Sequence, residues 1–237
     1  MSKRTRRKFH RCPAVAEAFT RLELLALLAA FALLTFVAFP LLAGTRSGAN
    51  RAACVNNLSR IGRAFSMWAS DHGQRFPCEV EYPEGTRHHP EGLQNNVWFQ
   101  FGSLSNELAT ADMLACPTDA AAKPAKDFSS DPAGGLLSPS FRNLAISYFV
   151  SHPFVEDGRL VLAGDRNLDG FLITQCSYFN GVRYFRSRHL GHPKWSADLH
   201  GFTGNLLFVD GSVEQPDNAS LRDDLTTPGV WHFIAPR

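Results

Sequence analysis

A lone carboxylate, Glu23, stands at the head of an uncharged apolar run from Leu24 to Ala43, 20 residues long. An acid at that position is costly to desolvate and seeks a cation. Cys54, Cys78, Cys116 and Cys176 follow the run, and a fifth cysteine, Cys12, precedes it. Four cysteines in an oxidising compartment suggest two disulfides, with all three connectivities open. Asp165-Arg166-Asn167-Leu168-Asp169-Gly170 sets oxygen side chains at alternate positions before a glycine, the opening of a calcium loop. The twelfth position, which needs Glu, is Cys176, so an EF-hand is excluded. Asp165, Asn167 and Asp169 remain candidates for a looser structural Ca2+ site, beside the plain reading of a turn between strands. His189 and His192 have metal-like spacing without an evident third ligand. They, His88, His89 and His200 read as exposed loop histidines. The chain lacks Gly-x-Ser-x-Gly, His-Glu-x-x-His, a Walker loop and Cys-x-x-Cys. No catalytic residue is expected, the chain is not read as an enzyme, and apart from the Ca2+ candidate no cofactor is expected.

These residues need elements to position them. The chain has 237 residues, 44% hydrophobic and 19% charged, which supplies a core and excludes wholesale disorder. Six basic residues against Glu17 give residues 1–18 a net charge of +5, leaving −3 for the remainder. A mildly acidic body builds no phosphate-neutralising field, so nucleic acid is not an expected partner. The apolar run suffices for one bilayer crossing, and the basic leader predicts an N-terminus held in the cytoplasm. Cys54, Leu58, Ile61, Phe65 and Trp68 are spaced 4, 3, 4 and 3, one stripe of an amphipathic helix that Gly73 and Pro77 bring to an end. Pro40 is placed to kink it. Residues 78–143 are rich in proline and small residues and read as long loops with a short helix around 103–112. Strand signals follow at 145–150, 160–163, 171–174 and 206–209. Asp210-Gly211 then suggests a two-residue hairpin into Ser212-Val213-Glu214, and Trp231–Ile234 is expected to pack back on the sheet.

The expected organisation is a leader (1–18), a transmembrane helix (19–43), an amphipathic stalk helix (44–72), a loop-rich region (73–143) and an antiparallel β head with its tail (144–237). The fold class is α+β: a long N-terminal transmembrane and stalk helix packed against an antiparallel head with long loops.

Ala18-Phe19-Thr20-Arg21-Leu22-Glu23, between the basic leader and the apolar run, resembles the processing signal of type IV prepilins and type II secretion pseudopilins. The resemblance implies cleavage between Ala18 and Phe19 by a prepilin peptidase, followed by N-methylation of Phe19. It implies that Glu23 pairs with the new amine of a neighbouring subunit and that Pro40 is the family's helix-kinking proline. The sequence departs from the family at Ala18, where Gly is usual, and at Arg21, where the family is apolar. Cys54-Val55-Asn56-Asn57-Leu58-Ser59-Arg60-Ile61-Gly62, Cys116-Pro117-Thr118-Asp119, Leu162–Leu168 and Gly204–Val213 are similar to segments of a large bacterial group of pseudopilin-like proteins, some of whose relatives carry calcium in the head.

The resemblance implies a pilin-like subunit assembled into a type II secretion or type IV pilus-like filament. Its partners would be copies of itself, other pilin-like subunits, the peptidase and an inner-membrane assembly platform. Its location would be the inner membrane, single-pass, with an extracytoplasmic head, until assembly. The competing expectation is a monomeric membrane-anchored protein that binds a ligand with its loops at 78–143.

Overall fold

The computed structural model describes residues 20–153, 159–171, 182–185, 190–226 and 230–236. The chain divides into two units, Met1–Arg46 and Ser47–Arg237. Helix α1, Arg21–Asp71, begins in the first and ends in the second. In the first unit the helix opens on a capping box. The Thr20 backbone N–H and hydroxyl donate to Glu23 Oε2 at 2.9 and 3.0 Å, and the Glu23 N–H donates to Thr20 Oγ1 at 3.2 Å.

The expected membrane crossing is corrected here. Among the described residues no helix is long and apolar enough to cross a membrane. Arg21 and Glu23 charge the first turn of α1. The fold class is therefore α+β without an established transmembrane element, and the single-pass inner-membrane location that depended on it is withdrawn. The kink assigned to Pro40 concerns a side chain outside those described.

The second unit is layered. Beyond α1 come α2 (Val97–Gly102) and the strands β1 (Tyr148–Pro153), β2 (Val161–Asp165), β3 (Leu168–Phe171), β4 (Val182–Phe185), β5 (Leu190–Trp195), β6 (Leu206–Phe208) and β7 (Val213–Glu214). Helix α3 (Asn218–Thr226) and β8 (Val230–Pro236) complete it. Six strands form one sheet in the order β4-β8-β1-β2-β6-β7, every neighbouring pair antiparallel, and β3 with β5 forms a separate ribbon.

Period-two alternation sorts the sheet's side chains between two cores. Tyr148, Val150, Leu162, Leu207 and Ile234 join the core that also holds Cys54, Leu58, Ile61, Phe65 and Trp68 of α1. Phe149, Val161, Leu206, Phe208 and Phe233 join the other, with Leu168, Trp195, Leu221 and Leu225. The sheet is thus covered on both faces, which explains near-continuous apolar strands such as 160–163. The α1 stripe is 0–4% exposed from Cys54 to Trp68. Gly62 allows the helix this close approach, since a Cβ there would stand 2.8 Å from Leu207 Cδ1.

Several local expectations shift. The short helix is at Val97–Gly102 rather than around 103–112. The Asp210-Gly211 hairpin has a longer loop: Phe208 N–H donates to Ser212 at 2.9 Å, Asp210 Oδ1 accepts from the Ser212 N–H and hydroxyl, and Gly211 takes φ +85. Of the strand expected at 171–174, Phe171 belongs to β3, and 172–174 lie outside the described residues. Trp231–Ile234 does more than pack back: β8 inserts between β4 and β1.

Candidate functional site

The sequence segments singled out above converge on one polar cluster at the edge of the α1-facing core. Cys54, on α1, is joined to Cys116 by a disulfide across 62 residues, with a Cα–Cα distance of 5.4 Å. Of the two disulfides expected, this is the one formed among the described residues. Cys78 is a free, buried thiol, and burial pushes its pKa up. Cys176 lies outside the described residues, as do Ala18, Phe19 and His189.

The Cys116-Pro117-Thr118-Asp119 turn is held from two directions. Within it, Asp119 N–H donates to Cys116 O at 2.9 Å. Arg166, which follows β2, donates from Nε to Asp119 Oδ2 and from Nη2 to Oδ1, both at 2.7 Å. Ser147 Oγ donates to Asp119 Oδ2 at 2.7 Å and accepts the Cys116 N–H at 2.9 Å. Burial alone would raise the Asp119 pKa, but the hydrogen bonds from Arg166 and Ser147 outweigh it, so the pKa is lowered. Beside this pair, Asn57 Nδ2 on α1 donates to the buried Tyr148 hydroxyl at 3.4 Å.

Asp165 ends β2 fully buried, opposite Tyr148 in the β1–β2 register. Its Oδ2 accepts from the Asn205 backbone N–H at 2.8 Å and from Asn205 Nδ2 at 2.7 Å, while Oδ1 has no hydrogen-bond partner among the described residues. Burial pushes its pKa up to about 7, against the opposing pull of Asn205 and the Arg51 charge. His200 Nε2 stands 3.4 Å from Asp165 Oδ2. Burial and the Arg51 charge lower the His200 pKa. Both groups are therefore driven toward their neutral forms, and the contact is a polar pair more than a salt bridge. His200 Nε2 also lies 3.5 Å from Cys116 Sγ, and Nδ1 lies 3.4 Å from Thr118 Oγ1.

The expected Ca2+ trio is placed in dissimilar surroundings. Asp165 is in this buried cluster. Asn167 is buried and uses Nδ2 to donate to the Ser196 and Thr203 carbonyls at 3.1 and 2.9 Å. Asp169 is exposed on β3. Among the described residues, Cys54, Cys116 and His200 form the group whose donor atoms gather within 4.8 Å of one another. His200 corrects the reading of exposed loop histidines: its side chain is only 3% exposed. His88 and His192 are exposed, and His88 Nδ1 lies 3.0 Å from Glu81 Oε2. Sequence reasoning missed His200, Ser147 and Asn205. Asn205 lies inside the Gly204–Val213 segment quoted for the resemblance and His200 shortly before it, whereas Ser147 had no signal beyond its place in the strand expected at 145–150.

No family model, curated protein or solved structure matches this chain.

Proposed function

We propose that this chain is a pilin-like subunit, cut between Ala18 and Phe19 by a prepilin peptidase and assembled into a type II secretion or type IV pilus-like filament. The observation that carries this reading is the first part of α1. Leu24, Leu28, Phe31, Leu34 and Phe36 are 55–82% exposed, and Leu22, Leu25 and Leu33 add to the same helix surface. A helix apolar all round needs neighbours to cover it. Copies of the same helix supply a cover of matching length and chemistry.

Glu23 gives that packing a register. Its carboxylate is exposed, and the backbone and side-chain hydrogen bonds from Thr20 lower its pKa, so it is ionised at neutral pH. Cleavage creates an amine on Phe19, the residue before the cap. The amine of one copy and the Glu23 carboxylate of the next form an ion pair that strengthens as helix packing excludes water. Other pilin-like subunits and an assembly platform complete the set of partners.

Filament incorporation of Glu23→Ala and Glu23→Gln tests this reading. Gln keeps an acceptor for the Thr20 cap and removes the charge. Both variants are expected to lose incorporation while the second unit keeps its wild-type melting transition. Normal incorporation of Glu23→Gln would overturn the ion-pair mechanism.

A further inference from the structure

We infer that Cys54, Cys116 and His200 form a zinc-type metal site, its fourth position left to water, that becomes available when the Cys54–Cys116 disulfide is reduced. The inference does not depend on the filament reading.

Its first support is geometric. A tetrahedral zinc site with ordinary Zn–S and Zn–N or Zn–O bonds has S···N edges of about 3.6 Å and N···O edges of about 3.4 Å. The Cys116 Sγ–His200 Nε2 distance is 3.5 Å, so one edge of the polyhedron already stands at ligand spacing. The two sulfurs and the imidazole nitrogen share a volume within 4.8 Å. Once reduced, the sulfurs need only separate to about 3.7 Å for a tetrahedral S···S edge.

A second support is the surrounding shell. Thr118 Oγ1 faces the distal imidazole nitrogen at 3.4 Å, the second contact that orients a ligating histidine. Asp165 Oδ2 stands 3.4 Å from Nε2 but is taken by two hydrogen bonds from Asn205, so Asp165 neighbours the site without ligating. Gly201 and Phe202, the two residues after His200, are exposed.

The chemistry balances with an external dithiol as reductant. Its two thiols become a disulfide, and their two electrons and two protons convert the Cys54–Cys116 S–S bond into two thiols. Zn2+ then replaces one proton on each sulfur, and two protons leave to solvent. An external disulfide reverses the step: it takes the two electrons and two protons to become two thiols, the Cys54–Cys116 S–S bond reforms and the ion is released. The same residues thus hold either a covalent staple or a metal staple between α1 and the Cys116 turn.

The test titrates Co2+, a coloured stand-in for Zn2+, into the full chain in its oxidised form and after dithiol reduction and anaerobic desalting. The reduced protein is expected to bind one Co2+ with thiolate-to-cobalt charge transfer and tetrahedral visible bands, bleached by Zn2+. The oxidised protein is expected to bind none. His200→Ala is expected to weaken binding by more than about tenfold. Circular dichroism runs in parallel. A folded reduced protein without the charge-transfer band would overturn the inference. So would an unchanged titration of His200→Ala, or a reduced protein that unfolds and is not refolded by Zn2+.

Discussion

Arg166 grips Asp119 with two hydrogen bonds of 2.7 Å, and the two side chains are 11% and 1% exposed. Their neighbours in sequence reach elsewhere. Asp165 takes hold of Asn205, and Asn167 holds the carbonyls of Ser196 and Thr203. Three consecutive residues after the core of β2 thereby fasten three distant segments into one cluster.

Removing one member of the Arg166–Asp119 pair leaves the other buried and unpaired. Asp119→Ala is expected to cost about 3–5 kcal/mol, read as a lower urea midpoint with an unchanged slope. The Asp119 pKa is lowered by folding from the usual 3.8. Its contribution is therefore present above that value and lost as pH falls through the folded-state value. Wild type is expected to lose stability in acid more steeply than Asp119→Ala.

Asp165 has the opposite sign. Its folded-state pKa is raised from 3.8 to about 7, so the folded protein retains a proton that the unfolded chain has released. That contribution is complete below 3.8 and lost as pH rises toward about 7. The stability of wild type minus that of Asp165→Asn is expected to fall across this window and level off above it. Denaturation midpoints of the two proteins across the window supply the check, and a flat difference would contradict the burial account.

Much of this molecule was legible locally, and much was not. The α1 stripe from Cys54 to Trp68 could be read because helical spacing is a local signal and the whole stripe meets one core. The apolar cores of β2 and β6 could be read for the same reason. The place of β8 could not, because its partners β1 and β4 are set by pairing distant in sequence. The length of the run at 24–43 suggested a membrane span, yet no described helix meets that requirement. The cluster was least legible. Its members lie on five segments, and nothing about an isolated His200 distinguishes it from His192 until the fold brings Cys116 and Asp165 beside it.

The Cys54–Cys116 bridge closes a long loop, its ends 62 positions apart in sequence. Loop-closure entropy for that length corresponds to about 4 kcal/mol of stabilisation. The double substitution Cys54→Ala, Cys116→Ala is expected to lower unfolding stability by an amount of that order in metal-free buffer. Equilibrium urea titration measures it, and a loss below about 1 kcal/mol would mean that the buried contacts of α1 alone hold the Cys116 turn.

The central claim concerns the N-terminus, and intact mass with terminal sequencing of the protein taken from the cells that make it tests this directly. The account predicts a chain that starts at Phe19 and carries one additional methyl group on its amine. A chain that starts at Met1 or Ser2, with the basic leader still attached, would contradict it, because no new amine would exist for Glu23 of a neighbouring subunit to bind.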